Sequence, residues 1–467
     1  MKTTLLPTIF ALAITLPGLI AQGGPANERL DALCRASLAN QGVGMSVAVV
    51  RDGEVVLSRG YGKRSIRGDS TVGVDTKFAI GSITKQFTCA CVLLLEEERK
   101  LSVGDPIARW FPDITRAADI TLYDLMNHVS GIPDYYPLDF VDLRMREAIE
   151  PDALIRRYAC GPLDFEPGTR WSYSNTGYVV LGRVVEKVSG MPFGRFLEQR
   201  ILRPLGLEHT VYEPEGHDDG MAEGQTSFAL GPPEPCTPEG RGWIGAAGAI
   251  WSTAGDLARW DLALMGGKVL SPAALIVMTA ARTCKDGRET GYGCGLSIGL
   301  RDGRPTWSHN GAVDGFLATN TMVPSRGVAV VVLTNLGVGG GASDLAGALL
   351  GELLKEPVPV VPAVKGPSIA DTVRAVFADL QTEPLDRSRF TADFDAWLDP
   401  DRARGARERL APFGKPDRVD VLRVAERGGM EVSTTRLSFA KRSLRVLMYR
   451  HVDGRIAQFF VGAEDAR

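Results

Sequence analysis

The chain has 467 residues, of which 44% are hydrophobic and 23% are charged, and its formal net charge is -3. This composition is ordinary for a soluble globular protein, and the length allows two or three domains. The sequence has no run of five or more basic residues, which argues against nucleic acid as the main partner.

The first 22 residues resemble an export signal. Lys2 is followed by an apolar stretch that Pro7 and Pro17 interrupt, and small residues come next. The stretch is too short and too broken for a membrane-spanning helix, and no cysteine follows directly at the point where a lipoprotein would be anchored. We therefore expect a cleaved signal peptide, a mature protein without a stable membrane anchor, and a periplasmic or secreted location.

A hairpin and a helix are predicted early in a domain that we expect over residues 23–355. Two strand-like runs flank Asp52 and Gly53, a dipeptide typical of a β-hairpin turn. Further on, apolar residues at helical spacing predict a helix from Ser82 to about Arg99.

The middle of this domain changes in character. Residues from about 102 to 240 alternate helical stretches with loops rich in proline and glycine, which indicates a mostly helical insertion. Strand character returns over residues 307–335, with three candidate strands and a turn at 324–327. A predicted helix at 342–354 completes the domain.

The last part of the chain is predicted to be a separate domain. Residues 356–367 contain four prolines and read as an extended linker. Within residues 368–467, two helical patterns come first and four strand-like runs follow. This order is typical of a small α+β domain in which helices cover a meander.

Cysteine and histidine patterns give little support for a metal site. The cysteines number seven, and Cys284 and Cys294 flank a turn-rich stretch where they could pair, although sequence alone does not fix the connectivity. No cysteine or histidine spacing suggests zinc, and the run His217, Asp218, Asp219 is typical of a solvated loop. We expect no metal and no organic cofactor.

A serine and a lysine three residues apart occur twice, as Ser82 with Lys85 and as Ser438 with Lys441. The second pair lies in a strand-like run, where residues i and i+3 point to opposite faces. In a helix the same spacing places both side chains on one face, so only the first pair can share a proton. A helix N-terminus would suit a developing oxyanion, and burial would make Lys85 a base. Serine is also a common helix N-cap, so the spacing leaves both interpretations open.

Two further motifs supply other groups that acyl transfer needs. Residues 173–175 form the only Tyr-x-Asn sequence, in which Tyr173 beside an ammonium would have a lowered pKa and relay protons, while Asn175 could bind a substrate amide. Residues 309–311 read His-Asn-Gly on a predicted strand, where Gly311 would let a substrate backbone approach and the Ala312 amide could point at an oxyanion. Each motif is also compatible with an ordinary turn, in which His309 is a satisfied histidine.

The three motifs SITK, YSN and HNG together resemble the serine β-lactamase and penicillin-binding protein superfamily in order and broad spacing. The chain is most similar to the branch that contains class C β-lactamases, D,D-peptidases and related esterases, whose middle motif is Tyr-x-Asn. Segments such as FAIGSITKQFT and ITLYDLMNHVSGIPDY extend the resemblance over roughly residues 40–350. It implies an α/β (α+β) fold, an antiparallel sheet flanked by helices with a helical insertion.

The resemblance also implies catalytic roles. Ser82 matches the nucleophile that becomes acylated, Lys85 matches the lysine that deprotonates or supports it, and Tyr173 matches the tyrosine that shuttles protons with that lysine. The oxyanion hole of the family uses two backbone N–H groups, here those of Ser82 and Ala312.

For substrate binding, the resemblance assigns Asn175 to the substrate amide and places His309 and Gly311 where Lys-Thr-Gly usually stands. A lysine there is permanently charged and suits a substrate carboxylate, whereas a histidine is mostly neutral near pH 7. The histidine favours hydrolysis of a D-amino-acid peptide, amide or ester, cell-wall peptide included. Together with the export signal, the resemblance implies an exported serine hydrolase that acts through an acyl-enzyme.

Two alternatives stay open. One is a true class C-like β-lactamase, and the other is a catalytically silent relative that binds cell wall or a protein. The C-terminal pattern is similar to the cone-shaped fold of nuclear-transport-factor-like domains, and we expect a packing or partner module without chemistry.

Overall fold

The structure is a computed structural model that describes residues 25–41, 44–136, 143–229, 231–355, 361–440 and 442–463. The predicted export signal, and residues 356–360 of the predicted linker, lie outside the described residues. The chain divides into two compact units, residues 1–355 and 356–467. Every helix in the described part of the chain is too short or too polar to cross a membrane.

The first unit combines helices with an antiparallel sheet. Its helices are α1 (Pro25–Gln41), α2 (Thr84–Glu97), α3 (Leu122–Met126), α4 (Pro151–Tyr158), α5 (Asn175–Ser189), α6 (Phe193–Leu197), α7 (Arg203–Leu205), α8 (Gly245–Gly248), α9 (Ala254–Met265), α10 (Pro272–Thr279) and α11 (Gly341–Leu353). Its strands are β1 (Met45–Arg51), β2 (Glu54–Tyr61), β3 (Phe78–Ala79), β4 (Val211–Tyr212), β5 (Gln225–Thr226), β6 (Glu234–Pro235), β7 (Ile250–Ser252), β8 (Ser297–Arg301), β9 (Arg304–Val313), β10 (Phe316–Val323) and β11 (Val328–Thr334).

The main sheet has six strands in the order β2-β1-β11-β10-β9-β8, all antiparallel. The hairpin predicted around Asp52 and Gly53 is confirmed, since these residues join β1 to β2 and both have positive φ. The three strands predicted over residues 307–335 are also confirmed as β9, β10 and β11.

The sheet is covered on both faces, which explains its most apolar strand. All seven residues of β11 are buried. Alternate side chains enter two different cores: Ala329, Val331 and Leu333 pack with α2, α5 and α9, whereas Val330 and Val332 pack with α1 and α11. Full burial of one such aliphatic side chain contributes roughly 1.5–3 kcal/mol, so this strand fixes the register of the sheet.

Strand β8 (Ser297–Arg301) was not predicted from the sequence. It pairs with β9 only as far as Ser297 opposite Ser308. Residues 309–313 of β9 therefore have no partner from β8 and present an open strand edge. This edge contains the His-Asn-Gly motif.

The second unit matches the predicted order of helices followed by a meander. Its elements are α12 (Ile369–Asp379), α13 (Ala392–Trp397), α14 (Pro400–Leu410), β12 (Arg418–Arg427), β13 (Met430–Phe439), β14 (Arg442–Arg450) and β15 (Ile456–Ala463). The four strands pair in sequence order, and α14 was not predicted. Its core contains one buried ion pair, from the Arg450 guanidinium to Glu431 at 2.6 Å.

The disulfide considered for Cys284 and Cys294 is absent, and both residues are free thiols. The Cys294 thiol instead contacts the Asn127 amide at 3.4 Å and donates to the Val277 carbonyl at 3.5 Å. Its side chain is thereby held within the first core.

A buried chain of polar side chains connects the helices α2 and α9 to the strand β10. The Trp260 indole donates to Gln86, the Gln86 amide donates to Asn320, and the Asn320 amide donates to Asp261 at 2.7 Å. Asp261 is fully buried, its second carboxyl oxygen has no partner among the described residues, and burial raises its pKa to about 8.

This pKa predicts that Asp261 reduces stability as the pH rises. Between about pH 4 and pH 8 the unfolded chain releases this proton while the folded protein retains it, so the free energy of unfolding falls over that range. In Asp261→Asn this contribution is absent. At about 1.4 kcal/mol per pH unit over this range, the variant should gain roughly 4 kcal/mol relative to wild type between pH 5 and pH 8.

Urea unfolding followed by tryptophan fluorescence at both pH values measures this difference. Asp302→Asn, which removes an exposed carboxylate, is the control. A difference between Asp261→Asn and wild type that does not change with pH would contradict the prediction.

Candidate active site

Ser82 lies at the entry to the first buried helix. Gly81 has φ +51° and begins a 3₁₀ turn over Gly81–Ile83, from which α2 continues. The N-cap of α2 is Ile83, and no side chain caps the helix. Ser82 is therefore not an N-cap, and its half-buried hydroxyl is available for other contacts. The competing serine, Ser438, lies within β13 as predicted, and Lys441 is outside the described residues.

Lys85 is fully buried on α2, one turn after Ser82. Its ammonium donates to three oxygens: the Ser82 hydroxyl at 3.0 Å, the Asn175 side-chain carbonyl at 2.8 Å, and the Ala247 backbone carbonyl at 2.8 Å. Burial lowers the pKa of Lys85 to about 7, and the Asp134 carboxylate partly offsets this effect. Near neutral pH a substantial fraction of Lys85 is therefore uncharged, which is the state that a proton acceptor for Ser82 requires.

Asp134 was not predicted, although it lies in the GIPDY segment that carries the resemblance. Its carboxylate accepts from the Asn175 backbone N–H at 3.0 Å and from the Asn175 amide at 3.2 Å. These bonds orient Asn175 so that its carbonyl faces Lys85. The Asn175 side chain, which was predicted to bind a substrate amide, therefore already contacts Asp134 at one end and Lys85 at the other.

Tyr173 lies beside Lys85, but its phenol differs from the expectation. The ammonium lies 4.7 Å from the ring centroid, and the hydroxyl has no hydrogen-bond partner among the described residues. Burial raises the pKa of Tyr173, and the nearby Ser82 hydroxyl offsets this only in part. The lowered pKa expected for this phenol was wrong, because burial and the Asp134 carboxylate both raise the pKa of Tyr173. Tyr173 is a neutral hydroxyl that lines the groove.

His128 holds the Tyr-Ser-Asn segment in place. Its Nδ1 accepts from the Ser174 backbone N–H at 3.1 Å, and its ring lies 4.2 Å from the Tyr173 ring. Burial lowers its pKa far below the usual value, so it is neutral. These contacts give His128 a structural role beside the groove.

His309 is buried and neutral. Its Nδ1 donates to the Asn310 carbonyl at 2.6 Å, so its Nε2 accepts from the Tyr292 hydroxyl at 2.8 Å. Burial and the Lys85 ammonium lower the pKa of His309 to about 3. Both ring nitrogens are occupied, and the ring carries no charge that could attract a carboxylate. Tyr292, its partner, was missed because nothing near it in the sequence marks it.

Gly311 lines the groove and also allows a close approach within the protein. A Cβ at Gly311 would lie 2.0 Å from the Ile80 carbonyl, so this position requires glycine for the contact with the protein's own backbone. A Cβ at Gly81 would lie 2.9 Å from the Ala312 nitrogen. The two glycines therefore bring β9 against the turn that carries Ser82, with the Ala312 amide beside it.

One groove, a cavity of about 540 Å³, is lined by several of these residues: Ser82, Asp134, Tyr173, Asn175, His309 and Gly311. Among its described lining residues, Asp134 is the only charged one, and Trp171, Tyr173 and Tyr292 form an aromatic wall. Across the described part of the chain, no three His, Cys, Asp or Glu side chains are grouped to hold a metal ion. The groove thus combines a serine, a lysine base and an open strand edge, which are the parts needed for acyl transfer.

Comparison with known proteins agrees with this geometry. The family model Beta-lactamase matches residues 30–354. The chain belongs to the β-lactamase family.

Its relatives in that family include hydrolases of amides and peptides. Penicillin-binding protein 4 of Amycolatopsis lactamdurans is 31% identical over 368 residues, which are 72% of this chain and 91% of that protein. The D-aminopeptidase of Gluconobacter oxydans (strain 621H) is 28% identical over 314 residues, 66% of this chain but only 59% of its own length.

The crystal structure of a D-stereospecific amidohydrolase from Streptomyces sp. has a TM-score of 0.60 and 26% identity, covering 69% of this chain and 98% of that chain. The β-lactamase-like fold expected from the sequence is confirmed, and the protein is a serine hydrolase of this family.

The pKa of Lys85 predicts the acidic limb of the pH profile. The value of kcat/KM for p-nitrophenyl acetate should rise with pH and reach half its maximum near pH 7, where Lys85 loses its proton. Asp134→Asn removes the negative charge that raises the pKa of Lys85, so the half-maximum should move to lower pH. Initial rates between pH 5 and pH 9 measure the shift.

Asp302→Asn is again the control, and its kcat/KM should reach half its maximum at the same pH as that of the wild type. A midpoint in Asp134→Asn that stays at the wild-type pH, or moves upward, would contradict this account of Lys85.

Proposed function

We propose that the protein hydrolyses amides, peptides or esters through an acyl-enzyme on Ser82. Uncharged Lys85 takes the Ser82 proton across their 3.0 Å contact while the serine oxygen attacks the substrate carbonyl. The backbone amides of Ser82 and Ala312 stabilise the oxyanion, and the leaving group departs with a proton delivered from Lys85 by way of the Tyr173 hydroxyl. Water, deprotonated by the same base, then releases the acyl group and restores Ser82.

The substrate class that we propose is a D-amino-acid amide, peptide or ester without an essential carboxylate beside the scissile bond. The neutral state of His309 carries this proposal, because both of its nitrogens are occupied and no lysine or arginine lines the described part of the groove. A substrate carboxylate would meet Asp134 instead of a cation. The names D-aminopeptidase and D-stereospecific amidohydrolase of two relatives point to the same class.

Two features outside the site complete the proposal. Residues 1–22 support export of the protein to the periplasm or the medium, and cell-wall peptide is one candidate substrate there. For residues 368–467 we propose a packing or partner module, similar to nuclear-transport-factor-like domains, without chemistry of its own.

Ser82→Ala should abolish covalent labelling. The wild type should react with a fluorophosphonate reagent, because such reagents phosphonylate activated serines. Ser82→Ala should give no fluorescent band on a denaturing gel, whereas Ser438→Ala, the serine of the second Ser-x-x-Lys pair, should label like wild type. Absence of labelling in the wild type would favour a catalytically silent relative.

His309→Lys should move the enzyme toward substrates with a carboxylate. A hydrogen bond to a charged group contributes about 1.5–3 kcal/mol, so the lysine should raise kcat/KM for nitrocefin relative to p-nitrophenyl acetate at least about tenfold. His309→Gln is neutral and should leave this ratio near the wild-type value.

Rates for both substrates with the three proteins measure the ratio. Rapid nitrocefin hydrolysis by the wild type itself would contradict the proposed class and favour a true β-lactamase.

A further inference from the structure

A second cavity of about 830 Å³ adjoins the catalytic groove at the end of β9. Ala312 lines the groove, and the next two residues, Val313 and Asp314, line the second cavity. Tyr136, which lines the groove, donates its hydroxyl at 2.6 Å to Glu239, which lines the second cavity. The linings of the two cavities are therefore connected by the end of β9 and by the hydrogen bond between Tyr136 and Glu239.

The floor of the second cavity is apolar and aromatic. Trp251 and Phe316 pack edge to face with ring centroids 5.1 Å apart, and Ile244 and Val313 extend the floor. Trp251 is only half-buried, so part of its indole faces the cavity. Such a floor favours a hydrocarbon group, and an indole face also attracts cations.

The two arginines that line the cavity are already paired. Arg67 contacts Glu223 at 3.2 Å, and Arg241 contacts Glu215 at 3.4 Å and Glu213 at 3.9 Å. Their positive charges are therefore offset within the wall.

Glu239 and Asp314 have no such partner. Within the described residues, no lysine, arginine or histidine nitrogen lies within 4 Å of either carboxylate. Glu239 is fixed by the Tyr136 hydroxyl and, at 3.4 Å, by the Asp314 backbone N–H. Burial and the neighbouring Glu239 raise the pKa of Asp314 to about 6, and the charge of Arg146, which acts on Asp314 without an ion-pair contact, offsets this rise only in part.

We propose that this cavity is a second substrate subsite, which binds an apolar group that carries a positive charge, such as an alkylammonium or guanidinium group. The hydrocarbon part lies on Trp251 and Phe316, and the cation lies between the indole and the carboxylates of Glu239 and Asp314. Each of these contacts compensates for the desolvation of the charge, which an apolar cavity alone would not do.

The geometry fixes the distance between this subsite and the reacting carbonyl. A substrate carbonyl held at the Ala312 amide lies two residues from Asp314, the first residue of the turn after β9, so the two are at most about 7 Å apart along the chain at about 3.4 Å per residue. An acyl chain of five or six carbons spans this length. The subsite rests on the proposed function, because the carbonyl must be at Ser82 for the end of the chain to reach it.

Two p-nitrophenyl esters with equal acyl chains test the subsite. One ends in a trimethylammonium group, and the other carries a tert-butyl group in the same place. A second pair carries the same two ends on the leaving-group side, so that both directions out of the site are examined. The measured quantity is the ratio of kcat/KM for the cationic ester to that for the neutral ester.

For at least one pair, the wild type should prefer the cationic ester about tenfold or more, because the indole face and the two carboxylates both attract a positive charge that the tert-butyl group lacks. The double variant Glu239→Gln, Asp314→Asn should bring this ratio close to one. Glu54→Gln, which removes an exposed carboxylate on β2, should keep the wild-type ratio.

The outcomes separate the two proposals. If the wild type hydrolyses the esters and prefers the tert-butyl end in both pairs, or shows no preference, the subsite is wrong and the proposed function stands. A preference for the cation that survives in the double variant also overturns the subsite. If the wild type hydrolyses none of the esters faster than Ser82→Ala does, the proposed function fails and the subsite fails with it.

Discussion

The burial of the Lys85 ammonium is the constraint on which the rest of the site depends. A buried ammonium is costly unless every N–H finds an acceptor. Here the three acceptors come from the turn before α2, from the start of α5 and from α8. Three segments far apart in the chain must therefore converge on one nitrogen. The residual desolvation brings the pKa of Lys85 to about 7, which makes it a base at neutral pH.

The convergence is possible because two backbones approach more closely than side chains allow. Gly81 and Gly311 have no Cβ, so the turn before Ser82 packs directly against β9. The same contact brings the Ala312 amide to the serine, on the open edge that β8 leaves unpaired. The proposed nucleophile, base and oxyanion donor are thus positioned by the turn before α2, by α2 itself and by β9.

Features of the site and fold that depend on neighbouring residues could be predicted from the sequence, whereas contacts between residues far apart in the chain could not. The pair of Ser82 and Lys85 follows from helical spacing, and the hairpin at Asp52 follows from turn chemistry. Asp134 and Tyr292 act through contacts 41 and 17 residues along the chain, for which no local pattern exists. The pKa of Tyr173 was misjudged for a related reason: the sequence suggests which charge is near, but not how much water burial removes.

The charge along the groove also depends on burial and on neighbouring charges. A charged lysine at position 309 would repel the Lys85 ammonium and lower its pKa further, whereas neutral His309 leaves Lys85 as the only cation among the described residues of the site. Asp134 then stabilises that cation, as the direction of its effect on the pKa of Lys85 indicates. A substrate that enters this groove therefore meets a negative rather than a positive surface. The change of one strand residue from lysine to histidine thus alters both the strength of the base and the charge of the molecules that fit beside it.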